Sequence, residues 1–171
     1  MAIQSLTLVS FRNHEKKEFD FSRGLTLIWG ENGSGKTAVL EAIHILSFGR
    51  SFRTHKQRDL IRNSDDALAI RGGFLFDISS AEVPTEVGRS SPVKIKLNGK
   101  ILFGRKELIG RNNVVVLSPE EQSVTKGGPV ERRRFFDKMF SVASPDYVDT
   151  LQTYSRGLKQ RNAAIAQVKE N

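Results

Sequence analysis

The stretch Gly30-Glu31-Asn32-Gly33-Ser34-Gly35-Lys36-Thr37 limits what this chain can become more than any other. It fits G-x-x-x-x-G-K-[ST], and its setting fits too. Leu25, Leu27, Ile28 and Trp29 precede it as a short apolar run of strand length. Val39, Leu40, Ala42, Ile43, Ile45 and Leu46 follow within a run of good helix formers. Strand, glycine loop and helix in that order make a phosphate-binding loop. Glycines allow positive φ, so successive N–H groups converge on an anion, and the helix start adds its unpaired N–H groups and positive dipole end. All eight residues of the motif are therefore nucleotide-site candidates. Lys36 is expected at the β- and γ-phosphates and the Thr37 hydroxyl at Mg²⁺.

Charge adds a second partner class. The chain carries a net +8 with a sequence pI near 10.0, an excess that nucleotide binding alone does not require. It favours a polyanion, nucleic acid or an anionic membrane surface, over small metabolites. There is no cysteine, so disulfides and thiolate metal sites are excluded, as suits a reducing cytoplasm. No apolar run is long enough to span a membrane, and Met1 to Val9 does not read as a signal peptide.

Two antiparallel strands are expected before the loop, Met1 to Val9 and Glu18 to Phe21, joined by the turn Phe11-Arg12-Asn13-His14. Gly49 ends the loop's helix, and the basic, aromatic stretch Phe48 to Lys56 follows, with Arg50 and Arg53 able to meet phosphates of ATP or DNA. Ala67 to Phe76 reads as a strand with a bulge at Gly72-Gly73, and residues 77–92 as a long hairpin loop. Asn98-Gly99 between Val93–Leu97 and Lys100–Phe103 is the strongest hairpin signal, with Lys94 and Lys96 on the face opposite the apolar residues. Asn113 to Leu117 predicts a strand buried on both faces. Gln122, in the polar loop after it, is a candidate for the metal or its water. Pro129 opens a helix with Phe135, Phe136, Met139 and Phe140 as its core face and Arg132 and Arg133 near its basic start. Ser144-Pro145-Asp146 opens another, whose seam Tyr147, Leu151, Tyr154, Leu158, Ile165 and Val168 is heptad-like. No helix stop precedes Asn171, so the helix is expected to have been cut there or to continue. A boundary near residue 143 is expected, giving a loop-bearing lobe over 1–143 and the start of a helical lobe over 144–171.

A phosphate loop is half of a hydrolytic site, which also needs an acidic Mg²⁺ partner and a group that orients water. No apolar strand here ends in paired carboxylates, so no catalytic residue is assigned.

In order along the chain stand Phe11-Arg12-Asn13, Gly30 to Thr37 with Leu40-Glu41-Ala42-Ile43, and Gly49-Arg50-Ser51-Phe52-Arg53-Thr54. Ser118-Pro119-Glu120, Lys126 to Pro129, Arg132 to Phe135, Tyr154 and Leu158 to Asn162 complete the set. Together they resemble the N-terminal portion of the RecF family of bacterial recombination mediators, relatives of the SMC-type ABC ATPases. The resemblance implies an α/β, P-loop ABC-type fold with a mixed sheet and an antiparallel β-subdomain, followed by the start of a helical lobe. It implies a cytoplasmic, ATP- and Mg²⁺-dependent, DNA-binding protein of gap repair, replication restart and the SOS response, acting at single/double-strand junctions and helping to load RecA with RecO and RecR. It implies an ATP-dependent homodimer of the full-length protein with weak DNA-dependent ATPase, little or none of it from these residues alone. Arg12 and Asn13 match positions that approach the phosphates. Arg50, Arg53, Lys94, Lys96, Arg132 and Arg133 are the DNA-contact candidates. A small P-loop kinase, or a basic binding module with a vestigial loop, are the alternatives.

Overall fold

The computed structural model describes residues 2–63, 65–75, 80–82, 85–88, 94–102, 107–108, 111–117 and 127–169. It divides into two compact units, Met1–Val116 and Leu117–Asn171.

The first unit is a sheet covered by a helix. Its strands are β1 (Ala2–Phe11), β2 (His14–Asp20), β3 (Ala67–Leu75), β4 (Ser80–Glu82), β5 (Thr85–Gly88), β6 (Lys94–Leu97) and β7 (Lys100–Leu102). They lie in the order β2-β1-β3-β5-β6-β7, with β4 also on β3. Each described pairing is antiparallel. Alternation decides which face is covered: Leu6 and Leu8 on β1, and Leu68, Ile70 and Phe74 on β3, are buried on one side. The helix α1 (Lys36–Phe48) packs there through Ala38, Val39, Ala42, Ile45 and Leu46. It ends on Gly49 at φ 66°, whose N–H bonds the Ile45 carbonyl at 2.7 Å, as the sequence predicts.

The double glycine of β3 has a packing cause. A Cβ on Gly73 would meet Ser5 Oγ at 2.7 Å, and one on Gly72 would overlap Leu46 Cδ1. The expected bulge exists, but on the partner strand, between Ile3 and Ser5 opposite Phe74 and Gly73. The Asn98-Gly99 hairpin joins β6 and β7 as expected, at φ 50° and 79°, with Ile95 and Leu97 buried.

Three expectations are corrected. Residues 77–92 are not one loop, since β4 and β5 fall within them and pair with β3. Residues 113–117 carry no ladder, with Val115 at 96% and Leu117 at 94% exposure instead of burial on both faces. Leu25 to Trp29 likewise form no strand ladder among the described residues, with Trp29 at 85% exposure. An apolar run signals a strand, but a strand needs a ladder, and among the described residues neither segment forms one, although Thr26, Ile28, Asn113 and Val114 line a common pocket.

The second unit is a helix pair, α2 (Pro129–Ala143) and α3 (Pro145–Lys169), starting where the two prolines predict. The expected core face of α2 is corrected: it has no buried residue, and Phe135, Phe136, Met139 and Phe140 are all partly exposed. The three phenylalanines pack on each other instead, with Phe135 against Phe136 at 5.6 Å, Phe136 stacked on Phe140 at 6.2 Å and Phe140 against Tyr147 of α3 at 5.4 Å. Tyr147 Oη donates to Asp137 Oδ1 at 2.6 Å. That bond, then desolvation and the carboxylate's charge, raise the Tyr147 pKa above its ordinary 10.0. Along the heptad-like seam, burial fades past Leu151, and Tyr154, Leu158 and Ile165 are exposed.

Candidate functional site

The phosphate loop is built by its glycines. Gly30, Gly33 and Gly35 take φ of 149°, 85° and 92°, a region that side chains resist. Gly35 caps α1 without any side-chain hydrogen bond, and the first turn of α1 has no acidic residue. The amides at the start of α1 are thus left for a ligand, beside the positive dipole end. Gly35 is fixed by space as well: a Cβ there would sit 2.6 Å from Asn13 Oδ1 and overlap the His14 ring.

The loop is braced from within. Lys36 Nζ folds back to donate to the Gly30 and Glu31 carbonyls at 2.7 and 2.8 Å. The Ser34 N–H donates to the Glu31 carbonyl at 3.2 Å. Asn13 Nδ2 donates to the Gly33 carbonyl at 2.8 Å, and His14 Nε2 lies 3.3 Å from the Gly35 carbonyl. The β1–β2 turn therefore clamps the loop, with Arg12 at φ 56° within it. Thr37 is exposed at the second position of α1, and Glu31, Asn32 and Ser34 are exposed along the loop.

A third segment closes the site. The Arg12 N–H bonds the Leu60 carbonyl at 2.8 Å and the Arg62 N–H bonds the Ser10 carbonyl at 3.0 Å. Ile61 bridges Phe11, so residues 59–63 run beside the end of β1. The result is an open cleft of about 790 Å³ lined by Arg12, Asn13, Asn32, Gly33, Gly35 to Ala38, Arg53, Asp59 and Ile61 to Asn63. Its volume lies in the range that holds cofactors, roughly 300–1,000 Å³.

One carboxylate organises the back of the cleft. Glu41 of α1 is fully buried and receives Arg12 through Nε at 2.9 Å and Nη2 at 2.6 Å. Ser51 Oγ donates to the same carboxylate, and Arg53 Nη1 lies 3.5 Å from it. Arg12 Nη1 donates to the Asp59 carbonyl at 2.6 Å, and Asp59 Oδ2 accepts Thr54 Oγ1 at 2.7 Å.

The profile of an AAA domain matches residues 5–169. The chain belongs to the AAA-domain family. Within that family it is similar to the N-terminal portion of RecF. The DNA replication and repair protein RecF of Clostridioides difficile is 38% identical over 168 residues, covering 98% of this chain. That of Desulfitobacterium hafniense is 36% identical over 167 residues, again covering 98%. The chain spans 45% and 46% of the lengths of these curated relatives. Two structures of the recombination mediator RecF, with ATPrS and with ATP, superpose with TM-scores of 0.91 and 0.88 at 32% identity. They cover 99% and 98% of this chain and are matched over 46% and 47% of their own lengths. An SMC ATPase structure, at 24% identity and TM-score 0.64, shares the fold over 80% of this chain. The AAA-type P-loop fold is thereby shown.

The structure gathers Arg12, Asn13 and the whole phosphate loop into one place. Of the DNA-contact candidates, Arg53 lies in the same cleft. Arg50 is exposed in the adjoining loop, where its carbonyl accepts His44 Nδ1 at 2.8 Å. Lys94 and Lys96 are on β6, Lys96 half-buried, and Arg132 and Arg133 are exposed on α2. Gln122 lies outside the described residues. Sequence reasoning passed over His14, Glu41 and residues 59–63, whose roles arise from contacts distant in sequence. Of these, Glu41 left a local signal, an acid within the largely apolar helix that follows the phosphate loop.

Proposed function

We propose that this chain forms the phosphate-binding part of the ATP site of a RecF-type DNA repair ATPase. The observation that carries it is the loop itself: three glycines at positive φ, an uncapped α1 start, and Lys36 lying across the loop carbonyls. ATP fits this donor set, since amides and an ammonium meet a triphosphate while the β1–β2 turn walls the cleft. Lys36 would leave its loop carbonyls for the β- and γ-phosphates. Thr37 would supply a hydroxyl to Mg²⁺, with Gln122 as a second candidate ligand. The family likeness extends the proposal to DNA at gaps and single/double-strand junctions, to ATP-dependent pairing of two full-length copies, and to work with RecO and RecR in loading RecA in the cytoplasm during the SOS response. The net charge of +8 supports a polyanionic partner, with Arg50, Arg53, Lys94, Lys96, Arg132 and Arg133 as candidate contacts. Membrane anchoring is not proposed: no described helix is long and apolar enough to cross a bilayer.

Hydrolysis by these residues is expected to be weak or absent. Asp59 in the cleft is engaged by Thr54, and Glu41 by two arginines, so neither is placed as a base. Titration with a fluorescent ATP analogue tests the proposal. Saturable binding that Lys36→Ala abolishes is expected, whereas equal binding by both proteins would refute it.

A further inference from the structure

Glu41 is a buried carboxylate in the middle of the helix that follows the phosphate loop. A lone charge there would be costly, and its partners come from two segments remote in sequence. From the β1–β2 turn, Arg12 meets it side-on with two N–H groups. From the loop after α1, Ser51 and Arg53 meet the same two oxygens. Ser51 Oγ in turn accepts the Arg53 and Thr54 N–H groups at 2.9 and 3.1 Å, so the carboxylate also sets the backbone of that loop. Both arginines line the cleft, and neither is buried outright: their side chains are 20% and 46% exposed.

We propose that Glu41 is the positioning residue of the nucleotide site, holding Arg12 and Arg53 at the cleft wall facing the phosphate loop. The proposal rests on ATP binding in this cleft. Two arginines against one carboxylate leave a net positive charge at the cleft, so the pair can be held rigidly and still attract an anion. With three N–H groups of Arg12 committed to Glu41 and Asp59, the five of a guanidinium leave one on each terminal nitrogen for a phosphate oxygen. A flexible arginine would have to be ordered on binding, and Glu41 meets that cost before the ligand arrives.

The test is ATP affinity of the wild type and of the Glu41→Gln, Arg12→Ala and Glu41→Gln/Arg12→Ala variants, with Lys36→Ala as control and thermal midpoints taken without nucleotide. Glu41→Gln keeps the shape and removes the charge, and is expected to weaken ATP about tenfold, as for coupled neighbours in one network. Arg12→Ala is expected to do the same, and the double variant to be no weaker than the weaker single. A merely structural Glu41 would lower the midpoint without coupling to Arg12 in affinity. Should Glu41→Gln fail to fold, Ser51→Ala, which unties the Arg53 loop from Glu41, must weaken ATP severalfold. Wild-type affinity in the folded Glu41→Gln variant, or losses that multiply in the double variant, would overturn the proposal. If wild type and Lys36→Ala bind ATP alike, the failure is instead that of the cleft as a nucleotide site.

Discussion

Replacing Gly35 by alanine tests how the loop is held. Gly35 sits at φ 92°, where an L side chain costs about 1–2 kcal/mol. Its new Cβ would fall 2.6 Å from Asn13 Oδ1 and overlap the His14 ring. Those side chains must swing away, which breaks the Asn13 bond to the Gly33 carbonyl, worth about 0.5–1.5 kcal/mol. The expected loss is therefore about 1.5–3.5 kcal/mol, or about 3–14 °C in the thermal midpoint of a chain of this size. Gly33→Ala is the internal control. It has a similar φ of 85° but nothing within 4 Å of its added Cβ, so it carries the backbone cost alone. Thermal melts followed by circular dichroism would rank the two, with Gly35→Ala lower and unable to bind ATP. If Gly35→Ala melted no lower than Gly33→Ala, the clamp by the β1–β2 turn would be refuted.

Three further outcomes are expected. Gly72→Ala drives a methyl into fully buried Leu46 and should cost about 1–3 kcal/mol of overpacking in a denaturant melt, although its backbone tolerates alanine. The Tyr147 pKa is raised in the folded helix pair, so its stabilisation is whole below about pH 10 and is lost as the pH rises through the folded value. Helicity of α2 and α3 titrated from pH 8 to 12 should show that loss, and Tyr147→Phe should flatten it. DNA affinity should fall steeply between about 50 and 200 mM salt, and insensitivity to salt would remove the basic surface as the footprint.

What the sequence made legible were the features fixed by neighbouring residues. The phosphate loop, the Asn98-Gly99 turn, the Gly49 stop and the proline starts at Pro129 and Pro145 each express a local φ or a missing N–H, and each stands where expected. Apolar runs were legible only as to type. Leu25 to Trp29 and Val114 to Leu117 have strand composition, but their exposure depends on which segment lies alongside, and no local pattern encodes that. Phe135 and Phe136 misled in the same way, because amphipathic spacing names a face without naming its cover. The wall of the site was the least legible part. Glu41, Arg12 and Ser51 meet across 29 and 10 residues of sequence, and only the packing of α1 on the sheet brings them together.

The central claim is that the amides from Gly33 to Thr37, with Lys36, grip a triphosphate. A crystal structure of the protein grown with a non-hydrolysable ATP analogue and magnesium tests it most directly. The β- and γ-phosphates should lie over the start of α1, with Lys36 Nζ moved from the Gly30 and Glu31 carbonyls onto phosphate oxygens. Analogue density elsewhere on the protein, with Lys36 still folded onto its own loop, would contradict it.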